Sequence, residues 1–447
     1  MKNILSIGEE AIRYGERLGA DEVEAYIVFV NRKKIILAGK TWTVHTSSIS
    51  GLGVRIIVNK KIGLFSTSSL GKRDVTGAVK EAYKIAKVNE PDKDWVSLPT
   101  KGGKVKVEQT FDKEIADIEP DRLIIDAKQM INTVRNCSER LTITSGGITV
   151  ETVETSISNS HKCNLFRKGT FASTNISVKA EEAGKRGISN ESHQTRNLET
   201  LNCNSVALTA AERAAKVVDA KNIMSGKMPI VWRNKVFASA LRTMFGGTLC
   251  ADSVQKGRSP WINKIGEQIA SENFNLVDDG LRKACIRTRE FDDEGIPQQR
   301  ITLLNHGVLQ SFLYDTYTAY KDSCMSTGNS SRDYRSLPAP SPNNLILQPG
   351  RAKINELVKD VKRGLYLFET IGTWLSNPIS GDISTTATNA FLIENGELTR
   401  PVKGGIVSGN FFDILLGKIE IIADDICNIG STYSPSIRVA EMMVTSK

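Results

Sequence analysis

At 447 residues, with 40% apolar and 24% charged side chains, the chain has room for two or three domains and the composition of an ordinary globular protein. No run of about 18 apolar residues occurs, so no membrane-spanning helix is expected. The formal net charge of +9 is scattered, without a dense basic run, zinc-finger spacing or aromatic RNA-binding signature; it reads as a Lys-rich solvated surface before a nucleic-acid or acidic-partner surface.

The opening Met1-Lys-Asn-Ile-Leu-Ser-Ile-Gly-Glu-Glu10 turns acidic after a few apolar residues, which predicts a helix start and not a signal peptide, with a cytoplasmic location following. Ile7 to Leu18 has helical spacing, and Glu22 to Leu37, rich in Val, Ile and Tyr, predicts a strand. Gly51 to Thr67 predicts a hairpin turning near Asn59-Lys60-Lys61, followed by a helix over Lys72 to Val88. Pro91 and the Pro-Thr-Lys-Gly-Gly run at 99–103 suggest a linker near 91–104. Beyond it come a helix over Pro120 to Asn136, strands alternating around a Gly146-Gly147 turn, a strand over Phe166 to Ala180 and a helix over Asn204 to Ala220. The whole of 1–225 is expected to be a mixed α/β N-terminal domain.

From 226 the character changes to short strands and tight turns after a helix over Phe237 to Cys250. Hairpins are expected around His306-Gly307 and Asn395-Gly396, where Asn and Gly supply positive-φ positions. Lys353 to Leu365 reads as an isolated helix. The expected fold class is α+β, with a β-rich barrel- or sandwich-like C-terminal domain over 226–447.

Seven cysteines (Cys137, Cys163, Cys203, Cys250, Cys285, Cys324 and Cys427) are widely spaced with no Cys-x-x-Cys. They read as reduced buried thiols. The four histidines, His45, His161, His193 and His306, include no pair close enough for a helical metal site. Asp-Asp pairs at 278–279, 292–293 and 424–425 rarely chelate alone, because neighbours on a strand point to opposite faces. Asp292, Asp293 and Glu294 form the densest acidic cluster, which could face a channel and bind a peptide's amino terminus. Asn329, Arg332, Asn377, Ser380 and Asp382 lie in Gly/Ser/Asn-rich segments suited to turns or to holding an extended peptide by strand addition. No Gly-x-Ser-x-Gly elbow, Walker loop or dinucleotide-binding turn is present.

The stretch from Pro229 to Glu267 resembles, in framing, the metal-site helix of the TldD/PmbA peptidase family. Phe291-Asp-Asp-Glu-Gly295-Ile-Pro297, Ser326-Thr-Gly-Asn-Ser-Ser-Arg332, Asn377-Pro-Ile-Ser-Gly381-Asp-Ile-Ser384, Ile393-Glu-Asn-Gly-Glu397 and Gly51 to Ser69 with Arg55 extend the resemblance over essentially the whole chain. The TldD branch carries His-Glu-x-x-x-His, two imidazoles on neighbouring helical turns with a Glu to polarise a metal-bound water. Those three positions fall here on Arg242, Thr243 and Gly247, and an arginine stays charged and repels zinc. Cys427 sits near the place of a third ligand in that branch, but a lone thiolate makes no tight zinc site.

The resemblance therefore implies the TldE/PmbA branch: no metal, no cofactor and no catalytic residue of its own. It further implies a partner, a TldD-like zinc peptidase subunit. The pair would degrade or trim unfolded or short peptides, a microcin precursor among them, in an internal chamber. A homodimer in the partner's absence is left open. An older family name, modulator of DNA gyrase, keeps a DNA- or gyrase-associated interaction protein as an alternative, and an autonomous hydrolase with an unrecognised nucleophile is another.

Overall fold

The protein is described by a computed structural model over residues 4–100 and 102–446. Long alternating runs form β1 (Glu22–Ala38), β2 (Thr41–Val58), β3 (Lys61–Thr67), β4 (Leu141–Asn159), β5 (Asn164–Glu182) and β6 (Lys185–Thr195). They join in one antiparallel sheet ordered β3-β2-β1-β4-β5-β6. At about 3.3 Å per residue, strands of this length run roughly 60 Å, too long for one helix pair to cover. Two pairs share the task. Helices α1 (Ile4–Arg17) and α2 (Lys72–Val88) cover Val23, Ala25 and Ile27 of β1 at one end. After the short α3 (Lys113–Asp117), helices α4 (Pro120–Cys137) and α5 (Cys203–Val217) cover Ile35 and Leu37 at the other. The expected turn at Gly146-Gly147 is overturned: both glycines lie inside β4. A Cβ on Gly147 would stand 2.1 Å from the Ile35 carbonyl oxygen, so glycine there permits close strand approach and makes no turn.

The second half contains a closed barrel. Its strands follow the ring order Arg363–Ile371, Gly226–Trp232, Ile437–Ser446, Gly405–Asn410 and Asp382–Glu394, and the last pairs back to the first. Helix α6 (Asn234–Phe245) shares a core with the barrel through Trp232, Phe237, Phe245, Phe274 and Phe411. A second sheet of six short strands runs from Val308–Leu309 to Cys427–Ile429. The expected hairpins form, with Asn395 at φ 52° and Gly396 at φ 84° in one turn and His306 at φ 47° and Gly307 at φ 74° in the other. The helix expected over 353–365 is replaced by a short 3-10 turn, Ile354–Leu357, and a barrel strand from Arg363. Leu365 and Leu367 are buried in register with Ile230 and Trp232, and that pairing overrides local helical preference.

The two halves meet on the sheet face opposite the helices. There Glu22, Glu24 and Tyr26 alternate with the apolar residues of β1, and Arg55 stands opposite Glu24 on β2. A face that is polar in sequence is thus buried, Glu22 by Trp95 and Leu98, and Glu24 and Tyr26 by chain from beyond residue 285.

Candidate functional site

Helix α6 is amphipathic: Val236, Phe237, Ala240, Leu241, Met244 and Phe245 face the core, while Arg242 is exposed. Asn234 fixes its first turn, donating from Nδ2 to the Asp425 carbonyl (2.8 Å), and its amide donates to Ser436 Oγ (2.9 Å). The helix packs on the segments Cys427–Ile429 and Thr432–Ser434, and a Cβ on Gly430 would lie 3.6 Å from the Arg242 guanidinium. The tertiary fold therefore brings the helix that carries Arg242 and Thr243 beside the Cys427 segment. The helix expected to run to Cys250 ends at Phe245, so Gly247 lies in the turn that follows it. The Thr243 hydroxyl donates to Ser239 O at 3.0 Å. Gly247 is exposed, with nothing near its absent Cβ. A guanidinium, a main-chain-bonded hydroxyl and a glycine offer no donor set for a metal ion, and among the described residues no group of three His, Cys, Asp or Glu could hold one.

A cleft of about 960 Å³ adjoins this helix, between β6 and the barrel strands Arg363–Ile371 and Asp382–Glu394; Lys235, Val236 and Ser239 of α6 line it. Its organising group is Glu191, 7% exposed. Arg213 (2.7 Å), Arg233 (3.0 Å) and Lys235 all donate to its carboxylate. Burial pushes the Glu191 carboxyl up, but Arg233 and Lys235 outweigh it and hold the group at about 2. Across the cleft Glu369 accepts from Ser189 Oγ and from the Asn190 amide (3.0 Å), tying β6 to the barrel.

The predicted acidic cluster lies elsewhere. Asp292, Asp293 and Glu294 are 0%, 3% and 1% exposed, enclosed between the sheet and the C-terminal half rather than lining an open channel. Glu294 accepts from Arg55 (3.2 Å) and the Thr316 amide (2.9 Å). Asp293 accepts from Arg167 and from Arg289 (2.9 Å). Burial opposes ionisation of Asp293, but Arg289 and Arg167 prevail and hold it far below the usual carboxylate range. Asp292 accepts from the amides of Glu294, Ile296 and Ser330, and burial together with the Glu294 charge raises its carboxyl. Arg332 joins the same network, donating to Glu24 at 2.5 Å, and Asn329 donates to Asp278 at 2.6 Å. Asn377 and Asp382 do not join it. They share an exposed turn in which the Asn377 amide donates to the Asp382 carbonyl (2.9 Å). That turn follows the segment Thr373–Leu375, which packs on α6 and exposes Trp374 (66%) and Leu375 (79%).

Sequence reading missed Glu24, Arg167, Arg289 and Glu191. Their signal was available: charged residues in the inward register of long strands, or beside a glycine-rich turn, require a buried partner. Some of the charged residues are accordingly internal: Arg55, Arg167 and Arg332 face carboxylates inside the protein and are offset there, so they do not account for the formal +9.

Comparison with known proteins agrees with this architecture. Residues 39–86, 113–217 and 225–446 match, respectively, PmbA/TldA metallopeptidase domain 1, the central domain and the C-terminal domain. An uncharacterized protein of Methanocaldococcus jannaschii is 30% identical, covering 96% of this chain and 97% of its own. A metalloprotease of the same organism is 25% identical over 87% of this chain and 86% of its own. The crystal structure of TldE from Thermococcus kodakarensis superposes with a TM-score of 0.92 at 24% identity, covering 98% of this chain and 100% of that one. A putative modulator of a DNA gyrase from Thermotoga maritima superposes at 0.90 with 24% identity, covering 99% and 100%.

Proposed function

The chain belongs to the PmbA/TldA metallopeptidase family, and we propose that within it this protein is a TldE/PmbA-like subunit that binds no metal, paired with a metal-bearing paralogue. The observation that carries this reading is Arg242, exposed on α6 where the metal-bearing branch is expected to place an imidazole. A fixed positive charge there disfavours a divalent cation, and neither Thr243 nor Gly247 supplies the missing donors. The 1–225 and 226–447 domains, a cytoplasmic setting and a TldD-like partner belong to the same proposal.

In it the subunit walls a chamber and holds extended peptide, and the cleft beside α6 is the natural seat. Glu191, Arg233 and Lys235 give that cleft a rigid charged floor, while Phe368 and Ile371 give apolar contacts. Trp374 and Leu375, next to the same helix, are large exposed apolar side chains of the kind that anchor a partner. The decisive experiment measures metal content and peptide cleavage for the purified chain, and cleavage again with a His-Glu-x-x-x-His paralogue. Stoichiometric zinc and cleavage by the chain alone would refute the proposal; cleavage only by the pair supports it.

A further inference from the structure

Where the loop carrying Arg287 and Arg289 meets β1, β4 and β5, the packing leaves a partly open pocket of about 290 Å³, separate from the cleft beside α6. Six cationic side chains line it, Arg167, Lys168, Arg196, Arg287, Arg289 and Arg332, against two carboxylates, Asp293 and Glu290. Lys168 pairs with Glu154 (3.2 Å). Glu290 lies within reach of the Arg196 charge, without an ion pair among the described residues. The buried carboxylates already have partners. Asp293 serves Arg167, Arg289 and the Arg332 amide. Glu24 serves both Arg332 and Arg55. Arg196 donates only to the main-chain carbonyls of Thr110, Cys285 and Ile286. Arg287 donates to the hydroxyls of Ser331 (2.7 Å) and Ser341 (3.3 Å). Among the described residues neither Arg196 nor Arg287 has a carboxylate within ion-pair distance.

Donors remain over. Among the described residues Arg332, whose side chain is 3% exposed, leaves Nε and Nη2 without a hydrogen-bond partner, and Arg289 leaves Nε. Burial, and then the charge of Arg289, push Arg196 and Arg287 down to about 10, as expected of buried guanidiniums crowded together. Buried donors and buried cations without counter-charge are costly unless a ligand satisfies them.

We propose that this pocket binds a small oxyanion, a phosphate or a carboxylate borne by a small molecule, gripped by Arg287, Arg289 and Arg332. The planar fork of a guanidinium matches either group with paired N–H donors. Tyr26 and Phe171, also in the wall, lie against the guanidiniums of Arg332 and Arg196, each 4.4 Å from the ring centroid, and hold those cations in place. The assignment stands whether or not the chain pairs with a metal-bearing paralogue, because it uses none of the α6 residues.

The test is calorimetric titration of the full chain, at constant ionic strength in chloride, with inorganic phosphate and separately with N-acetyl-glycylglycine and its C-terminal amide. Saturable one-to-one binding of phosphate, or of the free carboxylate but not the amide, is expected, and the probe that binds identifies the source of the oxyanion. Arg289→Gln should weaken that binding by roughly tenfold or more, the loss of a charge-assisted contact, while Arg167 still holds Asp293. Lys168→Ala, at the rim with a side chain 38% exposed, should weaken it less and leaves the fold intact. No binding beyond that of chloride would overturn the proposal, and so would binding unchanged in both variants.

Discussion

A Cβ on Gly53 would stand 2.2 Å from the carbonyl oxygen of Tyr334. The neighbouring Gly51 has the Tyr334 ring in the same position, at 2.4 Å. The two glycines of β2 are therefore the seat on which a C-terminal segment rests, and they explain why Gly51-Leu-Gly53 sits in a strand without being a phosphate loop. Gly53→Ala should destabilise the protein by about 1–3 kcal/mol, the usual range for overpacking a close contact. Urea unfolding monitored by tryptophan fluorescence measures it; a midpoint equal to the parent's would mean that this contact is loose.

The Glu191 cluster predicts an acid limb of stability. Its folded-state value of about 2 lies below the ordinary 4.5, so the stabilisation is fully present above about 4.5 and is lost as pH falls toward 2. The whole effect is at most about 3 kcal/mol; Arg213, which burial and the Arg233 charge push down, stays charged throughout this window and adds nothing to the slope. Glu191→Gln should lower stability at neutral pH and flatten the decline between pH 4.5 and 2. Unfolding free energies across that window check it, and an unchanged slope would assign the acid limb to other carboxylates.

Restoring donors to α6 and to the turn after it tests the metal reading directly. The combined Arg242→His, Thr243→Glu and Gly247→His variant removes the fixed charge and places two imidazoles and a carboxylate beside the Cys427 segment. Gly247 has open space around it, so an imidazole there fits without displacing neighbours. The variant should retain zinc through gel filtration, as read by elemental analysis, where the parent retains none. Equal zinc in both proteins would show that α6 is not where the difference between the branches lies.

Trp374 and Leu375 predict an interface. Both are mostly exposed, so replacing them with Ser should leave the thermal midpoint within about 1 °C of the parent, as surface changes outside the core usually do. Association with the paralogue should weaken by roughly 2 kcal/mol or more, the scale of a tryptophan anchor. Analytical ultracentrifugation of the mixed subunits measures this, and undiminished association would place the interface elsewhere.

Several elements were legible because their cause is local. Lys72 to Val88 has its helix ends where the sequence placed them. The turns at Asn59-Lys60 and Asn395-Gly396 follow from Asn59, Asn395 and Gly396, which tolerate positive φ, with Lys60 drawn into the same region by the two-residue turn. Arg242, Thr243 and Gly247 could be singled out before any coordinates, since the absence of donor atoms is a property of residue type. The Gly146-Gly147 turn and the 353–365 helix failed for a shared reason. In both places the deciding neighbour, Ile35 in one case and Ile230 with Trp232 in the other, is remote in sequence.

The site residues divide in the same way. Sequence alone determined which side chains were present and what each could do: a guanidinium repels a cation, and three adjacent acids need compensation. It could not say that Asp293 meets Arg167, or that Arg332 reaches across 308 positions to Glu24. Those pairings arise because one face of a long sheet keeps its polar alternation and is then covered by distant chain. Burial turns scattered surface charges into a dry, paired interior, and burial is a property of the assembled fold rather than of any neighbouring residues along the chain.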